Sequence, residues 1–226
     1  MNAFQKIAVA VLVAAFVFMN GGCATTGDPN RPYPPQPEVK DGIKIKLASI
    51  KLQETPVYVS SRVFHYDTSN LPEAKVKLLT KGERRNLSMQ DLPVVLDPPA
   101  KEGARSARIV KAFNAYLDGA GFRRVEVPCQ ECLIVIIDYG EKYIENKVFL
   151  VPIGSGTTYL FTRVRLYFLG EEVIVAREDW ALWWKDVQAE PSDNLIALAA
   201  KQMGDEMSQA WNWRVALWQQ RLSAVQ

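Results

Sequence analysis

Histidine is nearly absent from this sequence: His65 is the only one in 226 residues, beside three cysteines, Cys23, Cys129 and Cys132. A single histidine leaves a zinc site short of ligands, and any nucleophilic triad would have to run through it. No serine sits in a G-x-S-x-G elbow, and His65 within "SRVFHYD" reads as a strand residue. "GSGTT" (154–158) lacks the lysine and following helix of a phosphate loop and is expected to be a hairpin turn. Lys+Arg number 27 against 25 Asp+Glu. There is no long block of one charge, so nothing points to nucleic acid. "KGERR" (81–85) is short and reads as a solvated loop. No stretch beyond residue 22 approaches the ~20 apolar residues of a bilayer span.

The one long apolar run is at the start. Lys6 supplies a positive charge, Ile7–Met19 is uninterrupted and apolar, and Gly21 and Gly22 follow. That order is the charged, apolar and small-residue plan of an export signal. Export implies an oxidising compartment, where an odd cysteine needs a separate explanation. Apolar run, small residues and then Cys23 resembles the processing site of bacterial lipoproteins, with Asn20 where those sites usually carry leucine. The resemblance implies that residues 1–22 are removed and that Cys23 becomes an acylated N-terminus. It also implies, through Ala24, the inner leaflet of the outer membrane. Several acyl chains at ~0.8 kcal/mol per buried CH₂ would make such an anchor effectively permanent. Residues 23–42 hold five of the 13 prolines and read as an extended tether at ~3.1 Å per residue.

Residues 43–226 are expected to form one α+β domain. "GIKIKLASIKL" (42–52) alternates as a strand with Ile43, Ile45 and Leu47 on one face. "PVYVSSRVFHY" (56–66) is a second strand, and 67–104 has no legible pattern. Ile109, Phe113, Tyr116 and Leu117 predict a helix over 106–122, with Ser106 as N-cap and Gly119 or Gly121 at its end. "FRRVEV" (122–127) and "LIVIIDY" (133–139) follow as strands, the latter buried on both faces. Strands 147–152 and 159–170 flank the expected turn at 153–158, and 171–179 and 180–187 continue the meander. A helix over 191–222, capped by Ser192, carries an apolar stripe from Leu195 to Trp211. The order implies a two-layer sandwich: a mostly antiparallel sheet with helices on one face.

"RIVKAFNAYLDGAGFRRVEVPCQECLIVIIDYG" (108–140) resembles the core of a widespread group of uncharacterised bacterial envelope lipoproteins. The resemblance implies a fold but no catalytic residues. "PCQEC" can be a local disulfide closing a turn or a redox dithiol. A thioredoxin-like dithiol needs its first cysteine at a helix N-terminus, and this pair leads into a strand. Asp138, Glu141, Glu145, Glu171, Glu172, Glu178 and Asp179 are scattered or at strand ends and form no evident acid–base pair. All six tryptophans lie in the last 47 residues, where Trp211, Val215, Trp218 and Leu222 share a helix face. Trp213 and Leu217 lie off that stripe and are candidates for a partner or membrane contact. The expectation is therefore a non-catalytic, lipid-anchored periplasmic component with no cofactor and no metal, meeting an envelope protein partner. The alternative is an envelope enzyme, either a carboxylate hydrolase or a thiol–disulfide factor using Cys129 and Cys132.

Overall fold

A computed structural model describes residues 36–73, 92–148, 151–176, 182–185 and 190–224. Residues 1–35, with Cys23 and most of the expected tether, lie outside them, as do Glu178, Asp179, Trp180 and the segment at 81–85. Helix α1 (Asp41–Ala48) leads to β1 (Val57–Tyr66) and the two-residue β2 (Val94–Val95). Helix α2 (Ala100–Gly119) precedes β3 (Leu133–Val148), β4 (Val151–Phe168), β5 (Glu171–Val175) and β6 (Leu182–Lys185), and α3 (Asp193–Ser223) is the last element. The strand order is β2-β1-β3-β4-β5, with β6 also pairing with β4. β1 runs parallel to β3, and the other pairings are antiparallel. The fold is the expected α+β class.

Alternation along the strands sends one set of side chains to the helices. Val135, Ile137 and Tyr139 of β3 and Leu160, Val164 and Leu166 of β4 meet Ile109, Phe113 and Leu117 of α2 and Met203, Met207 and Trp211 of α3 in one core. The other set includes Tyr66, Ile144 and Phe161, which gather with Leu71 in a second, smaller cluster. β3 is central, between β1 and β4. α3 begins as expected, with the Ser192 hydroxyl accepting the Leu195 N–H at 3.3 Å.

Four local expectations are corrected. Residues 41–48 are helical, not a strand. Ile43 and Leu47, four apart, share the buried face, while Ile45 is turned out at 54% exposure. A short apolar alternation also satisfies helical i, i+4 spacing, and docking decides between them: Gln219 Nε2 donates to the Ala48 carbonyl at 2.8 Å. Secondly, α2 begins at Ala100, so Ser106 is inside the helix rather than its cap. The helix ends at Gly119 and is closed by Gly121, whose φ of 77° suits glycine. Phe122 N–H donates to Leu117 O and Gly121 N–H to Asp118 O, the Schellman arrangement.

Thirdly, 122–127 forms no strand beyond a bridge from Arg124 to Val57. Lastly, the turn expected at 153–158 is part of β4: β3 runs on to Val148, and Glu145 pairs with Gly156. The small residue serves a close approach rather than a turn. A Cβ on Gly156 would stand 2.0 Å from the Tyr143 ring.

The folded body reaches back into the stretch expected to be tether. Gln36 uses its side-chain amide as a surrogate strand, donating to Val175 O at 2.8 Å and accepting from Val175 N–H at 3.1 Å. Val39 is buried in the core.

Candidate functional site

The first turns of α2 lie against the C-terminal end of β1 and the middle of β3, and polar side chains concentrate at that junction. Arg105, 5% exposed, projects inward from α2. Its Nη1 donates to Glu141 Oε2 at 2.6 Å, and Nε and Nη2 donate to Glu190 at 3.2 and 3.4 Å. The other Glu141 oxygen accepts the Tyr139 hydroxyl. Burial and the Glu141 charge push the Tyr139 pKa upward, so that proton is retained.

One residue further along the same helix stands Ser106, whose Oγ donates to Gly103 O at 3.0 Å and lies 3.3 Å from His65 Nε2. His65 is buried at the end of β1, tilted against the Tyr139 ring at 5.4 Å. Burial lowers its pKa, which keeps the ring neutral. The remaining nitrogen, Nδ1, has no hydrogen-bond partner. It faces Glu102 Oε2 at 4.0 Å. Burial, then repulsion from Glu141, raises the Glu102 pKa.

Glu102 and Glu141 line an open cleft of about 400 Å³ together with Tyr66, Asp67, Thr68 and Tyr143. Serine, histidine and glutamate in this order resemble a nucleophilic triad, but the chemistry does not follow. The Ser106 proton is committed to Gly103 O, and the serine is 3% exposed and absent from the cleft lining. Glu141 is held by Arg105 and Tyr139. What the cleft presents is three carboxylates, Asp67, Glu102 and Glu141, with one ammonium, Lys142, between walls that include Tyr66 and Tyr143. Sequence reasoning singled out His65 and Glu141 but missed Glu102, Arg105 and Ser106. The signal was present: 102, 105 and 106 continue the stripe of Ile109 and Phe113 by helical spacing.

A second charged cluster lies on the sheet face turned from the helices. Asp138, fully buried, accepts Arg163 Nε at 2.5 Å and Arg165 Nη2 at 2.6 Å. Arg165 also reaches Glu172 at 3.3 Å. Glu171 instead joins Lys40.

Cys129 and Cys132 stand at disulfide-bonding distance, with Cα atoms 5.1 Å apart. The pair closes the turn before β3, away from any helix N-terminus, with Cys132 buried and Cys129 exposed. On α3, Trp211, Val215 and Trp218 are buried as expected, Trp213 is 38% exposed and Leu217 is half-buried. Between them Arg214 stacks on the Trp218 ring and donates to Pro37 O at 2.5 Å. Arg214, next to Trp213 in the chain, thus ties α3 to the first described residues. Among the described residues no group of three or more His, Cys, Asp or Glu could hold a metal ion. No protein-family model matches the chain, and no curated protein matches it.

Proposed function

We propose that this chain is a lipid-anchored protein on the periplasmic face of a bacterial outer membrane, acting there as a non-catalytic binding or assembly component. The observation that carries this reading is the Cys129–Cys132 pair at disulfide-bonding distance. A disulfide suits an exported protein, and it uses two of the three cysteines. Cys23, directly after the apolar run and two glycines, is left for acylation. The absence of catalysis is supported by the buried, internally bonded Ser106 and His65. A dithiol role has no helix dipole to draw on at Cys129.

The anchor is tested by growth with an alkyne-tagged fatty acid. The mature chain should carry the label at Cys23 and lose it in Cys23→Ala. Label surviving in that variant, or no label at all, overturns the anchor. The binding role is tested by placing a photo-reactive amino acid at 213 or 217 and irradiating intact cells. A discrete protein adduct is expected, and none at either position overturns a partner on that surface.

A further inference from the structure

Among the described residues, every charged group lining the cleft except Glu102 makes a hydrogen bond within the chain. Asp67 accepts the Ser69 N–H at 2.8 Å. Glu141 is held by Arg105 and Tyr139, and the Lys142 ammonium donates to the Ser69 carbonyl. Among the described residues, the Glu102 carboxylate accepts no hydrogen bond, although its side chain is only 27% exposed. A part-buried carboxylate without a donor is costly.

The core side of Glu102 cannot supply the donor. With the Ser106 hydroxyl proton on Gly103 O at 3.0 Å, Oγ is left to accept from His65 Nε2–H at 3.3 Å. A neutral imidazole protonated at Nε2 has a bare lone pair at Nδ1. That nitrogen is buried, unpartnered and faces the Glu102 carboxylate at 4.0 Å. In that tautomer two acceptors face each other, and the cleft is the side from which a donor can reach Glu102.

We propose that this cleft is a binding site for a primary ammonium group, held against the Glu102 carboxylate. Asp67 adds negative potential, Glu141 is balanced by Arg105, the Lys142 ammonium is turned to the Ser69 carbonyl, and the Tyr143 ring, 37% exposed, lines the same cleft. A space of about 400 Å³ is of the size that small-ligand pockets have, so it takes a small free amine or a lysine side chain of another protein. The site stands on residues of the folded domain alone, so its failure would leave the Cys23 anchor unaffected.

The test is calorimetric titration of the full chain with four probes. These are n-pentylamine, n-pentanol, Nα-acetyl-lysine N-methylamide and its norleucine counterpart. At least one ammonium probe should bind saturably, and its neutral partner at least tenfold more weakly. Saturation by both ammonium probes identifies a free-amine site; saturation by the lysine derivative alone identifies a protein side chain. Glu102→Gln should weaken ammonium binding at least tenfold, and Glu102→Asp, which keeps the charge on a shorter arm, several-fold. Thermal unfolding of both variants checks that they are folded. No saturable binding of either ammonium probe, equal binding of the neutral probes, or full affinity in both folded variants overturns the proposal.

Discussion

Replacing Asp138 by asparagine should remove a large share of the domain's stability. The carboxylate is fully buried and divides its oxygens between two guanidiniums, Arg163 at 2.5 Å and Arg165 at 2.6 Å. The arginine side chains are themselves 3% and 13% exposed. Arg163 Nη2 also donates to the Tyr66 hydroxyl at 3.1 Å, and Arg165 lies over the Phe64 ring at 5.0 Å. Burial pushes the Asp138 pKa up, against the pull of both guanidiniums.

Asparagine keeps the shape but has one oxygen for two cationic donors, and its amide N–H₂ must face one of them. An exposed pair would lose only ~0.2–1 kcal/mol. A buried charge left without its partner costs about 3–5 kcal/mol, a substantial part of a total stability of ~5–15 kcal/mol. At about 2–4 °C per kcal/mol for a domain of this size, the unfolding midpoint should fall by roughly 6–20 °C. Urea unfolding should show a lower midpoint with an unchanged slope. A double-mutant cycle with Arg163→Met should give a coupling of roughly 0.5–3 kcal/mol. A loss below ~1 kcal/mol, or additivity in the cycle, would refute the argument and show that the cluster is screened by water.

Four other outcomes are expected. Gly204 of α3 lies under Tyr116 of α2, where a Cβ would stand 1.9 Å from the ring. Gly204→Ala should therefore destabilise by about 1–3 kcal/mol despite alanine's better helix propensity, measured by thermal unfolding. Replacing both Cys129 and Cys132 by serine should cost about 2 kcal/mol by loop entropy for so short a ring, read from the urea midpoint. Burial holds the His65 pKa below its ordinary 6.5, so the unfolded chain takes up a proton that the folded one does not. Stability should therefore fall as pH drops below about 6.5, and that slope should be missing in His65→Gln. Gln36→Ala removes both amide bonds to Val175 and should speed hydrogen exchange at the Val175 amide, with a loss of ~0.5–1.5 kcal/mol per bond.

Long, strongly patterned segments are legible in the residues themselves. The continuous β-branched run at 133–139 suits only an interior strand, and β3 lies at the middle of the sheet. The four-residue repeat became the buried face of α3 from Ala199 to Trp211, with Leu195 half-buried at its start and Ser192 where a cap belongs. Short segments misled. The alternation at 43–47 fits both periods, and the helix prevailed because two residues four apart could be buried together against α3. The glycines and serine at 154–156 suggested a turn, yet Gly156 is small so that Tyr143 can cross the strand. The cleft was hidden for a related reason. Glu102, Arg105 and Ser106 look like the solvated start of a helix until β1 and β3 bring His65, Tyr139 and Glu141 beside them.

Local chemistry is enough to mark the apolar run before Cys23, the cysteine pair close enough to bridge, the apolar periods of the long elements and the α+β class. Which polar groups meet is a matter of tertiary structure. Only the folded chain sets two arginines on Asp138, commits the Ser106 proton to a carbonyl and leaves Glu102 and His65 Nδ1 facing each other without a donor. Arg163 and Arg165 lie 25 and 27 positions from Asp138, and Tyr66, which joins the same cluster, lies 97 from Arg163. Those pairings are fixed by strand register and helix docking, which no local run of residues encodes.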